Sequence, residues 1–123
     1  MTTLFIIDSH TSTRQALALR LSRVPGINVV GMAGDSRQGI AQVRTLRPDV
    51  VLLEPKSNDG RGMEALRTIR AESPSVRVIA LTSYLDDFER QVALNAGAED
   101  YLLKDIDSNR LAEAILGHSM AEP

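Results

Sequence analysis

Asp49-Val50-Val51-Leu52-Leu53-Glu54 is the stretch of sequence that decides the fold, because four consecutive apolar residues lie between two acids. A short continuous apolar run is typical of a strand that is buried on both faces, as the strands of parallel sheets are. Glu54 then stands at the carboxyl end of this strand, where an acid has no structural reason to be. The stretch therefore predicts a parallel strand and makes Glu54 a candidate for chemistry.

Similar runs rich in Val and Ile recur along the chain and alternate with segments of helical period. This alternation is the pattern of successive βα units around a parallel sheet. Five units fit, and the predicted strands are Thr3 to Asp8, Ile27 to Ala33, Asp49 to Glu54, Val76 to Thr82 and Asp100 to Lys104. Each predicted strand is followed by a predicted helix. We therefore expect an α/β fold in three layers, with five parallel strands and five helices.

Apolar residues three or four positions apart indicate which face of each predicted helix packs on the sheet. The predicted core residues are Leu17, Leu21 and Val24 in the first helix, Ile40, Val43 and Leu46 in the second, Leu66 and Ile69 in the third, Phe88, Val92 and Ala96 in the fourth, and Leu111 and Ile115 in the fifth. The apolar period is then lost. We therefore expect a domain over residues 1–116, with residues 117–123 forming a frayed end or the start of a linker.

Length and composition restrict the class of protein. The chain of 123 residues fits one domain of common size, and without cysteine it has neither disulfides nor a thiolate nucleophile. Neither a membrane-spanning run nor a secretory signal is present, so we expect a cytoplasmic protein without a membrane partner. The net charge is −2 and the basic residues are interspersed with acids, which argues against direct binding of nucleic acid.

Functional residues of an open parallel sheet are expected beyond the carboxyl ends of its strands. Asp8 and Ser9 follow the first predicted strand, Glu54 ends the third, Thr82 ends the fourth and Lys104 ends the fifth. Lys104 is conspicuous because arginines far outnumber lysines in this chain. Carboxylates, hydroxyls and an ammonium group thus converge on one edge, which predicts a carboxylate-centred or anion-handling site.

The chain resembles the receiver domains of bacterial two-component response regulators along nearly its whole length. The resemblance rests on Phe5-Ile6-Ile7-Asp8, Arg47-Pro48-Asp49-Val50-Val51-Leu52-Leu53, Gly62-Met63-Glu64-Ala65-Leu66, Ala80-Leu81-Thr82-Ser83 and Ala96-Gly97-Ala98-Glu99-Asp100-Tyr101-Leu102-Leu103-Lys104-Asp105. The last run most resembles receivers that precede a LuxR-type helix-turn-helix domain. The resemblance implies a flavodoxin-like fold with strand order 2-1-3-4-5 and a signalling switch rather than an enzyme.

In the family that this chain resembles, an aspartate after the third strand accepts a phosphoryl group from a histidine kinase. Mg²⁺ is held there by this aspartate and by an acidic pair after the first strand. The residues at the matching positions are Glu54 for the phosphoacceptor, Asp8 and Ser9 for the acidic pair, Thr82 and Lys104 for the groups that bind phosphoryl oxygens or pair with Glu54, and Thr82 and Tyr101 for the switch.

Two departures from this pattern weaken the implied chemistry. Ser9 removes a charge and a ligand from a site for Mg²⁺, which is a hard cation with strict octahedral geometry. Glu54 is longer than aspartate by about 1.5 Å, and a misplacement of about 1 Å can cost on the order of a hundredfold in rate. We therefore expect no cofactor and weak or absent Mg²⁺, with Asp8 and Glu54 as weak ligands. His10 and His118 are too far apart in the sequence to indicate a metal cluster.

The favoured hypothesis is an atypical receiver, or pseudo-receiver, that acts independently of phosphorylation. It would work by self-dimerisation or by docking a fused or separate effector domain, and would regulate transcription through a DNA-binding domain outside these residues. Glu54 either imitates a phosphorylated aspartate or only forms a salt bridge with Lys104, and both interpretations stay open.

Two other hypotheses stand beside it. The first is a receiver that still accepts a phosphoryl group from a histidine kinase. The second is a nucleotide-binding α/β module, because Gly60-Arg61-Gly62-Met63-Glu64-Ala65 formally fits the G-x-G-x-x-G/A dinucleotide fingerprint. This second alternative is remote, since the fingerprint belongs after the first strand and here follows the third.

Overall fold

The structure is a computed structural model that describes residues 1–118. Its elements are β1 Thr2–Ile7, α1 Thr11–Ser22, β2 Ile27–Ala33, α2 Ser36–Leu46, β3 Val50–Leu53, α3 Gly62–Glu72, β4 Arg77–Thr82, α4 Asp87–Asn95, β5 Asp100–Leu103 and α5 Ser108–Leu116. All strand pairs are parallel and the strand order is β2-β1-β3-β4-β5. The predicted α/β fold and strand order are confirmed, and each predicted strand boundary lies within one residue of the observed one.

The sheet forms the middle of three layers because side chains alternate between the two faces of a strand. In β3, Val51 and Leu53 pack in a cluster with residues of α2, α3 and α4, whereas Val50 and Leu52 pack in a second cluster with residues of α1 and α5. All four residues of β3 are therefore buried, as the apolar run predicts.

Most of the helix faces that the sequence predicts are confirmed. The predicted residues that are fully buried are Leu17, Leu21, Val43, Leu66, Ile69, Leu111 and Ile115. Leu46, at the end of α2, is 44% exposed instead. No helix within residues 1–118 is both long enough and apolar enough to cross a membrane.

The predicted core face of α4 is wrong at Phe88, whereas Ala96 packs against the core as predicted. Phe88 is 80% exposed, whereas Glu89 is only 6% exposed and Ala93 is fully buried. Burying a carboxylate is costly unless it is paired, and here the Tyr101 hydroxyl donates to Glu89 Oε1 at 2.6 Å. This partner turns the acidic side of α4 toward the sheet, and Phe88 therefore faces outward.

Backbone pairing continues one residue past the ends of β3 and β5. The Glu54 N–H donates to the Ile7 oxygen at 3.1 Å, and the Lys104 N–H donates to the Thr82 oxygen at 2.8 Å. Asp8 directly follows Ile7, so its side chain and those of Glu54 and Lys104 start from the same edge of the sheet. The fold thus brings the predicted site residues together.

Gly62, the first residue of α3, packs against the backbone that follows β3. A Cβ at this position would collide with the carbonyl oxygens of Glu54 and Pro55. Close approach of the helix to the site loop therefore explains this glycine. The dinucleotide fingerprint is not needed to account for it.

We expect Gly62→Ala to lower the free energy of unfolding by about 1–3 kcal/mol, because the added methyl forces the backbone after Glu54 to move. Urea denaturation of the purified domain measures this change. Arg67→Ala, at an exposed position of the same helix, is the matched control and should leave stability nearly unchanged. Equal stabilities of the two variants would contradict the proposed close packing.

Candidate functional site

The Glu54 carboxylate is buried at the carboxyl edge of the sheet, with 5% of the residue exposed. Its Oε2 accepts a hydrogen bond from Lys104 Nζ at 2.6 Å. Its Oε1 accepts from the Ser9 hydroxyl at 2.6 Å and from the Ser9 backbone N–H at 3.1 Å. Both oxygens of the residue at the phosphoacceptor position are therefore already engaged by the protein.

Lys104 joins Glu54 to the second buried acid, Asp8. Lys104 Nζ lies 2.7 Å from Asp8 Oδ2, and Asp8 Oδ1 accepts from the His10 backbone N–H at 2.8 Å. Since Asp8 and Lys104 are both largely buried, the ammonium group bridges two carboxylates in a site with little access to water. The three charged groups together carry one net negative charge.

The ionisation of this cluster is set by competition between burial and pairing. Burial disfavours the charged form of Glu54, but its hydrogen bonds from Lys104 and Ser9 outweigh that cost and hold the pKa of Glu54 below its usual range. Burial likewise opposes the charge on Lys104, and the contacts with Asp8 and Glu54 outweigh it and raise the pKa of Lys104. The ion pair between Glu54 and Lys104 is therefore charged at neutral pH.

His10 is a site residue that the sequence reasoning missed. Its Nδ1 lies 3.2 Å from Glu54 Oε2 and 3.5 Å from Asp8 Oδ1, and its side chain is half exposed. From the sequence, His10 was considered only together with His118, which is far away along the chain. The carboxylates of Asp8 and Glu54, which the fold places beside His10, were not considered. The spacing Asp8-x-His10 directly after a strand was the available signal.

Thr82 and Tyr101 belong to a neighbouring network. The Thr82 hydroxyl donates to the backbone oxygen of Tyr84 at 3.0 Å. The buried Tyr101 hydroxyl donates to Glu89 Oε1 and accepts from the Asp86 N–H at 3.2 Å. Burial, reinforced by the hydrogen bond to Glu89, raises the pKa of Tyr101. Of the two groups predicted to bind phosphoryl oxygens or pair with Glu54, Lys104 contacts Glu54, and the hydroxyl of Thr82 bonds elsewhere.

A third buried acid, Glu89, links the loop after β3 to α4. Glu89 Oε2 lies 3.5 Å from Lys56 Nζ, and this ammonium group lies 5.3 Å from the centre of the Tyr84 ring. A cation over an aromatic ring is attracted by the electron density of its face. Glu89 carried no signal in the sequence, because an acid on a helix is exposed by default.

A small open pocket of about 160 Å³ lies over the carboxylate of Glu54. Its lining residues are His10, Glu54, Lys56, Thr82, Ser83 and Tyr84. A water molecule occupies about 30 Å³ of liquid volume, so the pocket has room for a small ion with a few waters. It contains an acid, a base and hydroxyl groups from three of the predicted strand ends.

The loop between β3 and α3 is closed around Asp59. This carboxylate accepts hydrogen bonds from the Ser36 N–H at 2.8 Å, the Arg61 N–H at 2.9 Å and the Ser57 hydroxyl. Burial opposes its charge, but these bonds lower the pKa of Asp59 to about 2. A carboxylate that is charged at neutral pH thus occupies the Arg61 N–H, a donor that a phosphate would need under the nucleotide hypothesis, and the geometry argues against that hypothesis.

The donor groups of the site do not meet the requirements of the Mg²⁺ ion that the resemblance implies. Mg²⁺ requires several oxygen ligands in octahedral arrangement. Here the Ser9 hydroxyl donates to Glu54, and the Lys104 ammonium lies within 2.7 Å of an oxygen of each acid. A positively charged group therefore stands where the carboxylates would share the ion, and these residues do not fit Mg²⁺.

A five-stranded parallel sheet with buried acids after two neighbouring inner strands, β1 and β3, and a lysine after the edge strand β5 defines a receiver-type α/β signalling domain. Residues 4–116 match the response regulator receiver domain family, and the chain belongs to this family. The resemblance found in the sequence is thereby confirmed.

Two relatives show the branch of the family. The DNA-binding transcriptional activator DevR/DosR of Mycobacterium tuberculosis is 37% identical over 115 residues, which are 94% of this chain and 53% of the relative. The response regulator protein VraR of Staphylococcus aureus is 33% identical over 121 residues, which are 95% of this chain and 58% of the relative. The chain spans about half the length of these relatives.

Solved structures agree with this assignment. The receiver domain of the putative response regulator NarL from Mycobacterium tuberculosis superposes with a TM-score of 0.88 at 26% identity, covering 94% of both chains. A LuxR-family two-component response regulator from Aurantimonas superposes with a TM-score of 0.87 at 25% identity, covering 100% of this chain and 91% of the other. The predicted similarity to LuxR-type receivers is confirmed.

Asp59 generates a prediction about acid stability. Since its pKa falls from 3.8 to about 2 on folding, its contribution to stability is fully present above pH 4 and is lost as the pH falls toward 2. We expect Asp59→Asn to lack this contribution, so that its stability falls less steeply over that interval. Urea denaturation at several pH values between 2 and 5 measures the slopes, and identical slopes would contradict the role given to Asp59.

Proposed function

We propose that this domain is an atypical receiver whose output does not depend on phosphoryl transfer to residue 54. The observation that carries this proposal is the engaged Glu54 carboxylate, with Lys104 Nζ on one oxygen and the Ser9 hydroxyl on the other, each at 2.6 Å. A nucleophile needs an accessible lone pair, and both oxygens of this one already accept hydrogen bonds in a residue that is 5% exposed.

Three properties of the site act together against transfer. Phosphoryl transfer depends on positioning and on neutralisation of charge by a metal ion. Glu54 displaces the carboxylate by one methylene, Ser9 supplies no charge, and Lys104 stands between the two acids. Because of these changes, the site meets the requirements for positioning and charge neutralisation less well. Together they support a domain whose residue 54 no longer accepts a phosphoryl group.

Glu54 reproduces only part of what a phosphorylated aspartate would do. Its carboxylate reaches Lys104, as a phosphoryl oxygen would, but the Thr82 hydroxyl donates to Tyr84. A carboxylate offers one charge and two oxygens, whereas a phosphate carries roughly −1.5 to −2 and three oxygens. We therefore propose that Glu54 is a partial mimic of a phosphorylated aspartate. It forms the contact with Lys104 without any phosphoryl group, whereas the Thr82 hydroxyl remains bonded to Tyr84.

The output of such a domain would pass through protein contacts. The relatives are about twice as long as this chain, and one of them is described as a DNA-binding transcriptional activator. We propose that this domain likewise regulates transcription through a DNA-binding domain outside these residues, by docking it or by dimerisation. In α1, Arg20 is committed to Ser108 and the Ile106 oxygen, whereas Leu19 is 55% exposed and available to a partner.

We expect no response when the domain is incubated with Mg²⁺ and beryllofluoride or a small phosphoryl donor. The combined substitutions Ser9→Asp and Glu54→Asp should restore a saturable, Mg²⁺-dependent response, because they return both missing acids. Chemical-shift changes at Thr82 and Tyr101 and the intact mass of the protein measure the response.

The control for this experiment adds Asp8→Asn to the restored variant, which should abolish the response by removing a metal ligand. A Mg²⁺-dependent mass increase in the unaltered domain would refute the proposal. It would favour the second candidate, a receiver that a histidine kinase still phosphorylates, for which the retained Asp8 and Lys104 are the supporting observation.

Glu54→Gln tests whether the partial mimic matters for output. The amide cannot neutralise Lys104, so we expect self-association or transcriptional output of the full-length regulator to weaken. Analytical ultracentrifugation and a reporter assay measure these effects. Glu64→Gln, at an exposed position of α3, is the matched control. If Glu54→Gln behaves like the control in both assays, the contact with Lys104 is a structural salt bridge without a signalling role.

A further inference from the structure

We propose that Glu89 is a positioning residue of the switch. It holds the Tyr101 ring inside the domain and, together with Lys56, connects this ring to the loop after residue 54. The resemblance to the family places Tyr101 in the switch but gives no role to Glu89 or Lys56. Glu89 would thereby fix the switch without any phosphoryl group, which deepens the proposed function and rests on it.

The Tyr101 hydroxyl is held by two groups at the start of α4. It donates to Glu89 Oε1 at 2.6 Å and accepts from the Asp86 N–H at 3.2 Å. A hydrogen bond to an ionised acceptor is roughly twice as strong as one between neutral groups. If the Tyr101 ring turned outward, the carboxylate of Glu89 would lose this donor while it is only 6% exposed, which is costly. Glu89 therefore favours the inward position of the ring.

The second oxygen of Glu89 faces the loop after β3. Lys56 Nζ lies 3.5 Å from Glu89 Oε2 and 5.3 Å from the centre of the Tyr84 ring. Lys56 follows Glu54 by two residues, and its side chain is 56% exposed. Water screens an ion pair with so exposed a partner. We therefore assign the main hold on Tyr101 to the hydrogen bond from its hydroxyl to Glu89, and a weaker contribution to Lys56.

These contacts provide a route from the loop after Glu54 to the switch. The Thr82 hydroxyl donates to a backbone oxygen of the loop after β4, at 3.0 Å, and the oxygens of Glu54 are bonded to other groups. Lys56, in contrast, touches the acid that holds Tyr101. A change in the position of Lys56 therefore alters the compensation of the buried charge of Glu89, and with it the hold on the ring.

The inward position of Glu89 also decides which face of α4 meets solvent. Successive residues of an α-helix point about 100° apart, so Phe88 is 80% exposed, close in sequence to Leu85, which is 60% exposed. Phe88 and Val92 form the competing apolar face. A turn of α4 that buried Phe88 would gain apolar burial but would take Glu89 away from Tyr101. Glu89 therefore keeps α4 in the observed orientation.

The test uses the fact that the chain contains only two tyrosines. With 3-fluorotyrosine, the domain should give two fluorine resonances, one from the buried Tyr101 and one from Tyr84, which is 68% exposed. The shift of each resonance between H₂O and D₂O measures its access to water. Glu89→Leu fills the space without an acceptor, so we expect the Tyr101 resonance to gain a solvent shift toward that of Tyr84. Glu89→Gln keeps an oxygen acceptor and should leave Tyr101 shielded.

A second variant tests the contribution of Lys56. Lys56→Met changes an exposed side chain, so the domain should stay folded. We expect it to move the Tyr101 resonance less than Glu89→Leu does, and to add nothing when combined with Glu89→Leu, because residues that act through one contact are not additive. The matched control is Asp87→Ala, which removes an exposed acid from the first turn of α4. This control should leave the Tyr101 resonance unchanged.

Several outcomes would overturn the role given to Glu89. They are a Tyr101 ring that stays shielded in Glu89→Leu, a Glu89→Gln variant that shifts as far as Glu89→Leu, and a control that shifts likewise. An effect of Lys56→Met that persists in full beside Glu89→Leu would overturn the role of Lys56. These readouts are separate from phosphoryl chemistry. A response of the unaltered domain to beryllofluoride would count against the proposed function, while the fluorine shifts would still decide whether Glu89 holds Tyr101.

Discussion

The contact on which the site depends is the Lys104 ammonium group held between the carboxylates of Asp8 and Glu54. The strand order β2-β1-β3-β4-β5 sets β5 beside β4, so the lysine must reach across the end of β4 to meet acids that follow β1 and β3. Only a long side chain can do so. Removing one member of a buried ion pair costs about 3–5 kcal/mol, because its partner stays buried without compensation. The ion pairs of Lys104 with Asp8 and Glu54 therefore stabilise the carboxyl edge of the sheet.

This contact also explains why a familiar arrangement of residues has an unusual chemistry. The extra methylene of Glu54 carries its carboxylate to Lys104, and Ser9 fills the space of an acid with a hydroxyl that donates to the same carboxylate. The site is closed on the side of the lysine. It is open on the side of His10, where an exposed imidazole faces two carboxylates. The substitutions thus change which groups of the site pair with one another, while the fold of the family is unchanged.

Much of the fold could be predicted because its signals are local. The run Val50 to Leu53 and its counterparts predict the strands within one residue of their observed ends. The failures have a common physical cause. Phe88 is exposed and Glu89 is buried because a tyrosine hydroxyl from β5 is available to the acid. His10 contacts the site because the register of β1 and β3 sets Asp8 beside Glu54. These partners are distant in sequence, so no periodicity within a helix or loop could reveal them.

The sequence by itself determined the five βα units, the edge at which the acids, the hydroxyls and Lys104 gather, and the departures at Ser9 and Glu54. Apolar periodicity and strand-end position carry that information, since both depend on neighbours along the chain. Only the tertiary structure decided which groups pair. It pairs Lys104 with both Asp8 and Glu54 and the Thr82 hydroxyl with the Tyr84 oxygen. It also places His10 beside the carboxylate of Glu54. Hydrogen bonds and ion pairs act over about 3 Å, and strand register brings residues about 50 positions apart to within that distance.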